Sequence, residues 1–126
     1  MKALACGAGV EIGEIVQTDL RELDSLDGHD ILLANNILQF LGPDCPDYLA
    51  RMQRATPVGG LNAVSVFTNK AEALANRTDD LIYRFAPGGL QQKYSGWRLF
   101  YYGEELRWSE PLNAMMSFAR IVTTKP

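Results

Sequence analysis

The sequence of 126 residues lacks most of the features that would place it at once in a functional class. It contains one histidine, His29, and two cysteines, Cys6 and Cys45, which are too few and too far apart to suggest a metal cluster. No apolar run approaches the roughly 18 residues of a membrane span. The net charge of −3 leaves no basic excess for nucleic acid or for anionic lipid. The sequence therefore argues against metal, membrane and nucleic-acid functions.

The first ten residues also lack the pattern of a targeting signal. The apolar run in "MKALACGAGV" is short, is interrupted by glycines and is followed at once by Glu11 and Glu14. We therefore expect a cytoplasmic protein. In that compartment Cys6 and Cys45 are expected to be free thiols rather than a disulfide.

The composition that is present predicts one globular domain over residues 1–126. Apolar residues make up 47% of the chain and charged residues 21%, which is ordinary for a domain with a core of its own. The apolar runs predict strands at about 12–18, 30–36, 61–67, 97–108 and 114–126. A helix is predicted over 43–57, with a short helix or two within 80–96 that are broken at Pro87–Gly89.

This order of elements predicts an α/β fold in which parallel strands are followed by an antiparallel hairpin. Strands that alternate with helical segments pair in parallel, because a helix provides the crossover between them. The last two predicted strands are joined by a short segment with no helical pattern, so they should pair antiparallel. We interpret the chain as an incomplete Rossmann-like sheet that ends in a hairpin.

Two adjacent amides, Asn35 and Asn36, end the predicted strand at 30–36 and interrupt an apolar run. An unpaired buried amide costs roughly 1–3 kcal/mol, so these residues need hydrogen-bond partners. The carboxyl end of a strand is also where open α/β sheets bind ligands. Two interpretations therefore remain open at this point: the pair ties down the following loop, or it lines a pocket.

Five stretches of the sequence resemble class I S-adenosylmethionine-dependent methyltransferases, and within these the tellurite-resistance TehB-like branch. The resemblance covers about residues 12 to 126. The stretches are "VQTDL" (16–20), "HDILLANNILQFL" (29–41), "MQRATPVGGLNAVSVF" (52–67), "FAPGGLQQKYSGWRLFYYGEEL" (85–106) and "SFARIVTTKP" (117–126).

The resemblance implies a cofactor, S-adenosylmethionine, and five residues that bind it. The Asp19 carboxylate would accept the adenine amino group, and the Leu20 backbone would meet the ring. The Ala34 carbonyl would face the amino group of the cofactor, while Asn35 and Asn36 would line the pocket for cofactor or substrate. From the residues alone, Asp19 could equally be a helix cap or a loop acid. No catalytic residue and no metal ligand follow from the sequence.

The resemblance also implies a gap in the fold. Such enzymes carry two earlier strands and a G-x-G-x-G loop, whereas "GAG" (7–9) is interpreted here as the end of a helix and a loop. One edge of the sheet would then be open, which is a liability for a folded protein. We expect a homo-oligomer, a strand-exchanged dimer or a separate partner half to cover it.

Two functions remain open from the sequence. The first is methyl transfer to a small-molecule nucleophile, in which a sulfonium already activates the methyl group and the protein mainly aligns the reactants. The alternative is a non-catalytic binding or assembly module that has kept the methyltransferase-like fold. Because the glycine-rich loop is missing, catalysis by this chain alone is left as an open question.

Overall fold

A computed structural model describes residues 13–70, 82–111 and 113–126. Within these ranges the chain forms a mixed α/β fold around one four-stranded sheet. The elements are β1 (Ile31–Asn35), α1 (Cys45–Ala55), β2 (Leu61–Phe67), α2 (Gly89–Lys93), β3 (Arg98–Ser109) and β4 (Ala114–Thr124), with two 3₁₀ turns at Leu20–Glu22 and Leu38–Asp44.

The sheet has the order β1-β2-β4-β3. β1 pairs in parallel with β2, and β4 pairs antiparallel with both β2 and β3. This confirms the predicted change from parallel pairing to an antiparallel hairpin. The hairpin folds back so that β4, rather than β3, lies next to β2. The described strands thus form a partly parallel, partly antiparallel sheet with β1 at one end.

The helix predicted over 43–57 is confirmed as α1. Pro46 lies in its first turn, where a missing backbone N–H has no helical partner to lose. The helix ends where Thr56 turns to an extended conformation, and the Thr56 hydroxyl donates a hydrogen bond of 2.7 Å to the Met52 carbonyl. Pro57 follows and cannot continue the helix. In the segment 80–96, one short helix, α2, begins after Pro87.

The strand predicted at about 12–18 is wrong for the residues that the structure describes. Residues 13–18 contain no strand, and Ile15 and Val16 are 59% and 57% exposed. Their apolar character satisfies the sequence pattern of a strand. A strand, however, also needs a neighbour to accept its backbone hydrogen bonds, and the described chain places none beside this segment. Residues 13–18 therefore have no regular secondary structure.

The two faces of the sheet differ in what covers them. One face packs against α1 and α2 and forms the core. Its fully buried apolar members include Leu38, Leu49, Val66, Leu90, Ala119 and Ile121. On the other face, cross-strand register aligns Leu33, Ala63, Val122 and Tyr101 in one row. Leu33 is 73% exposed and Tyr101 53% exposed, so the described chain leaves this row open. We call it the bare face.

Buried polar residues connect α1, β2 and α2. The Thr56 hydroxyl lies 2.8 Å from the Asn62 Oδ1 atom, so its single proton is shared between this oxygen and the Met52 carbonyl. The Asn62 amide in turn donates to the Tyr94 hydroxyl over 2.9 Å. Burial raises the pKa of Tyr94 to about 12, and the hydrogen bond from Asn62 acts in the opposite direction. Tyr94 therefore stays neutral and can keep this bond at any ordinary pH.

Cys45 is a buried free thiol at the start of α1. Burial raises the pKa of this thiol to about 12, which keeps it protonated and a poor nucleophile near neutral pH. The predicted free thiol is thus confirmed for Cys45, whereas Cys6 lies outside the described residues. His29 is exposed in the loop before β1, as its polar neighbours in the sequence indicate.

Candidate functional site

The carboxyl end of β1 carries a small network of polar groups. The Ser65 hydroxyl donates a 2.7 Å hydrogen bond to the Asn35 Oδ1 atom. The Asn36 backbone N–H lies 2.9 Å from the Ser65 carbonyl and 3.0 Å from the Ser65 hydroxyl oxygen. Asn36 has a φ of 52°, a left-handed conformation that asparagine tolerates better than most residues. The prediction that the strand leaves the core at these two asparagines is confirmed.

Ser65 is a member of this network that the sequence interpretation missed. It lies opposite Asn35 in the parallel register and is 5% exposed. The available signal was a single polar residue inside the apolar run "AVSVF" (63–67), at the same end of the sheet as the asparagines. Only the register shows that the two side chains meet.

The backbone of β1 turns its hydrogen-bonding groups alternately toward β2 and toward the open edge. Two backbone hydrogen bonds at the ends of β1 show which residues face β2. Leu61 donates to the Asp30 carbonyl over 2.8 Å, and Asn36 donates to the Ser65 carbonyl over 2.9 Å, so the even-numbered residues face β2. Ala34 therefore points its carbonyl at β2, and Asn35 points its carbonyl at the open edge. The Ala34 side chain is 5% exposed and belongs to the core.

This geometry bears on the role that the resemblance implies for Ala34. Its carbonyl already takes part in the ladder with β2, and the carbonyl next in sequence, that of Asn35, is the one that faces outward at the open edge. Contact between Ala34 and a cofactor stays a prediction. The structure adds Asn35 as a second backbone acceptor at the same strand end.

Asp19 caps the 3₁₀ turn that Leu20 begins, and the described residues before them, 13–18, form no strand. The Asp19 carboxylate accepts a 2.9 Å hydrogen bond from the Arg21 backbone N–H and so caps this turn. Its side chain is 50% exposed. Leu20 is half-buried and packs against the core. Capping uses one carboxylate oxygen and leaves the group accessible to a ligand.

Arg21 ties this turn to the segment that follows β1. Its guanidinium donates to the Leu41 carbonyl over 2.8 Å and to the Asp44 carboxylate over 3.1 Å. The hydrogen bond with Asp44 raises the pKa of Arg21 above its ordinary value, with a smaller contribution from Asp19. Arg21 is the second residue that sequence interpretation missed. It joins the turn of Asp19 and Leu20 to the segment Leu38–Asp44 that follows β1, and no hydrogen bond joins Asp19 to Asn35 or Asn36 among the described residues.

Two amide side chains in this region have buried polar atoms without a hydrogen-bond partner among the described residues. Asn36 Oδ1 has none, and neither polar atom of the Gln39 side chain has one. Gln39 is fully buried, with 0% of its surface exposed. Native proteins pair nearly all such groups, so each exception calls for an explanation. The exceptions here lie three residues apart, directly after the strand end that carries the candidate site.

A second group of polar atoms lies at the hairpin. The Gly88 backbone N–H donates to the Glu104 carboxylate over 3.2 Å. Burial first, and the nearby Glu104 carboxylate second, raise the pKa of Tyr102 to about 12. Both effects keep the phenol protonated at neutral pH.

The described ranges hold no candidate for two further classes of site. No three or more histidine, cysteine, aspartate or glutamate side chains come together there in a way that could hold a metal ion. Among the helices of the described chain, none is long and apolar enough to cross a membrane.

The parallel pair and the antiparallel hairpin form the mixed sheet that the sequence predicts, with polar groups at the end of β1. The family model for tellurite resistance protein TehB matches residues 9–110. The chain belongs to this family of methyltransferases, which generally use S-adenosylmethionine.

Solved structures show the same fold. The crystal structure of TehB from Haemophilus influenzae superposes with a TM-score of 0.77 at 19% sequence identity. The match covers 99% of this chain and 45% of that chain, so the present chain spans less than half of that relative. In total, 43 chains of known structure match. No curated protein matches the sequence.

Proposed function

We propose that this chain takes part in methyl transfer from S-adenosylmethionine to a small-molecule nucleophile in the cytoplasm. The observation that carries the proposal is the family match over residues 9–110. The name of that family refers to tellurite resistance, which fits a soft nucleophile as the methyl acceptor. The proposal is also supported by the polar groups that lie at the ligand-binding end of the parallel strands.

The residues at this end of the sheet fit one side of the cofactor. Asp19 offers a half-exposed carboxylate and Leu20 an adjacent backbone, while Asn35 and Asn36 offer amides, one of which has a buried oxygen without a partner. These groups would hold the adenine and amino-acid ends by hydrogen bonds. When bound, S-adenosylmethionine supplies the activated methyl group. The protein residues orient the reactants and exclude water, and no acid or base is assigned.

No described strand pairs with the outer edge of β1, and this supports a proposal about partners. Ile31 and Leu33 on this strand are 64% and 73% exposed, and the backbone of alternate residues turns outward. We propose that a further strand covers this edge. It would come from a second copy of the chain, as a homo-oligomer or strand-exchanged dimer, or from a separate polypeptide that carries the partner half.

Calorimetry with S-adenosylhomocysteine tests the cofactor proposal. We expect the chain to bind this product, and Asp19→Ala to weaken binding about tenfold, or ~1.4 kcal/mol of binding free energy. Asp44→Ala is the matched control, because Asp44 also pairs with Arg21, over 3.1 Å, but is not assigned to the cofactor. Equal losses in both variants would mean that Asp19 acts only through Arg21.

Sedimentation velocity tests the partner proposal. We expect the wild-type chain to self-associate or to bind a co-expressed partner half, and Leu33→Lys to abolish this, because a charge on an edge strand opposes pairing. Val58→Lys is the matched control, since Val58 is 80% exposed but lies in the turn before β2 and not on β1. A wild-type chain that stays monomeric and pairs with no partner half would contradict the proposal.

The alternative is a non-catalytic binding or assembly module. The 126 residues contain no G-x-G-x-G loop, which in the family approaches the methionine part of the cofactor. Calorimetry with S-adenosylhomocysteine at high micromolar concentration decides between the two, on the chain alone and on the chain with the outer edge of β1 covered by a partner. If neither sample gives heat, this alternative replaces the methyl-transfer proposal.

A further inference from the structure

The bare face carries a shallow cavity between β1, β2 and β4. Leu33, Ala63 and Val122 line its apolar part, because they lie side by side in the strand register. The small Ala63 side chain stands between two larger ones, and the cavity has a volume of about 150 Å³. A cavity of about that volume can hold a molecule of roughly six non-hydrogen atoms, the size of benzene. The bare face therefore offers room for the apolar part of a small ligand.

Polar side chains line the same cavity on the side of the carboxyl end of β1. Asn35, Ser65 and Arg120 form the next row of the register, beside the apolar row. The Asn36 backbone N–H donates to the Ser65 hydroxyl oxygen over 3.0 Å, and the Ser65 proton goes to the Asn35 Oδ1 atom over 2.7 Å. Because this bond holds the amide oxygen, the Asn35 NH₂ group is left as a donor without a partner among the described residues.

Arg120 brings to this cavity a positive charge that its neighbours do not balance. Its guanidinium lies 3.0 Å from the Glu105 Oε1 atom, and the Arg107 guanidinium lies 3.1 Å from the same atom. Two positive charges thus share one carboxylate, which leaves an excess of positive charge among these three side chains. The Arg120 side chain is 41% exposed and has further N–H groups to donate. A guanidinium in this position favours a carboxylate, whose two oxygens match its parallel N–H groups.

We propose that this cavity binds a small aliphatic carboxylate. Its hydrocarbon chain lies on the apolar row, and its carboxylate lies above Ser65, between Arg120 and the Asn35 amide. These two residues flank Ser65 on neighbouring strands, so their Cα atoms are about 10 Å apart, a gap that a carboxylate can bridge. Both groups are donors, which suits a ligand that offers only acceptors. Identifying this ligand with the methyl acceptor rests on the proposed function, whereas binding in the cavity does not.

Two-dimensional amide NMR on the whole chain tests the proposal, with butanoate as the probe and butanamide as its uncharged counterpart. We expect butanoate at millimolar concentration to shift the signals of the Asn35 side-chain amide and of the Ala63 backbone. Butanamide has nearly the same shape but no negative charge, and it should bind at least tenfold more weakly. The proposal is overturned if butanoate shifts neither signal or if butanamide binds equally well.

Three variants test the role of the charge. Arg120→Gln should weaken butanoate binding at least tenfold, whereas Arg98→Gln should bind as the wild type does. Arg98 is the matched control, because it lies at the start of β3, 5.4 Å from the Phe100 ring, and does not line the cavity. Glu105→Gln should strengthen binding about threefold, since it removes the carboxylate that competes for Arg120. The proposal is overturned if Arg98→Gln loses as much affinity as Arg120→Gln or if Glu105→Gln weakens binding.

Titration of the wild type with S-adenosylhomocysteine in parallel separates this proposal from the proposed function. Butanoate binding without S-adenosylhomocysteine binding supports the cavity and contradicts the cofactor proposal. The reverse result overturns the carboxylate site and leaves the cofactor proposal standing.

Discussion

Asn62→Ala is expected to lower the free energy of unfolding by about 3 kcal/mol, the largest loss that we expect from removing a single side chain. Asn62 is fully buried and bonds with both ends of its amide, accepting from Thr56 and donating to Tyr94. Removing it leaves the Tyr94 hydroxyl buried without a partner and opens a small cavity. Urea denaturation followed by tryptophan fluorescence measures the change.

A double-mutant cycle provides the control for this prediction. Tyr94→Phe alone should cost about 1–2 kcal/mol, because it leaves the Asn62 N–H unpaired. In the Asn62→Ala background the same change should cost less than about 0.5 kcal/mol, since the hydroxyl that it removes is already unpaired. Additive losses would show that the two side chains contribute independently and would contradict the network described here.

Gly60→Ala is expected to cost about 3 kcal/mol, at the upper end of the range for overpacking. A Cβ atom at Gly60 would lie 2.9 Å from the Pro57 carbonyl oxygen and 3.0 Å from that of Asp30. Neither oxygen can swing away, because each accepts a 2.8 Å backbone hydrogen bond, from Gly60 and from Leu61 respectively. The clash therefore forces the entry to β2 to move, which thermal or urea unfolding will record.

Gly89→Ala is the matched control for this substitution. Gly89 begins α2, and a Cβ atom there would meet the nearest atoms at 3.8 Å, an ordinary contact distance. Replacing glycine by alanine at such a helical position should stabilise the protein by about 0.4–1 kcal/mol. A similar loss in both variants would mean that the close approach at Gly60 does not limit stability.

The local sequence pattern correctly predicted the helix α1 and the strands that lie in the core. Leu61–Phe67 was predicted with the bounds that the structure shows, because a largely apolar run of strand length that follows two glycines is typical of a buried strand. α1 followed from Pro46 near its start, from one apolar face and from Pro57 after its end. The hairpin followed from the absence of a crossover between two apolar runs.

The sequence pattern gave a wrong prediction where secondary structure depends on a neighbouring strand. Residues 13–18 have the composition of a strand, but no described strand lies beside them, so their backbone stays irregular. The direct consequence is that Asp19 caps a turn that Arg21 holds against the segment after β1, instead of ending a strand. No local signal in the sequence predicts that tether, since its partners lie 20 and 23 residues away along the chain.

For the candidate site, the sequence by itself determined the residue types and the end of the strand at which they lie. The two asparagines interrupt the apolar run, and β1 ends there, at Asn35. Tertiary structure decided everything that depends on register: the bond from Ser65 to Asn35, the outward carbonyl of Asn35 and the exposure of Leu33 on the bare face. It also decided that Gln39 is buried with an amide that no neighbour satisfies. The physical reason is that hydrogen bonds and burial are properties of pairs of groups, and the sequence lists the groups without the distances between them.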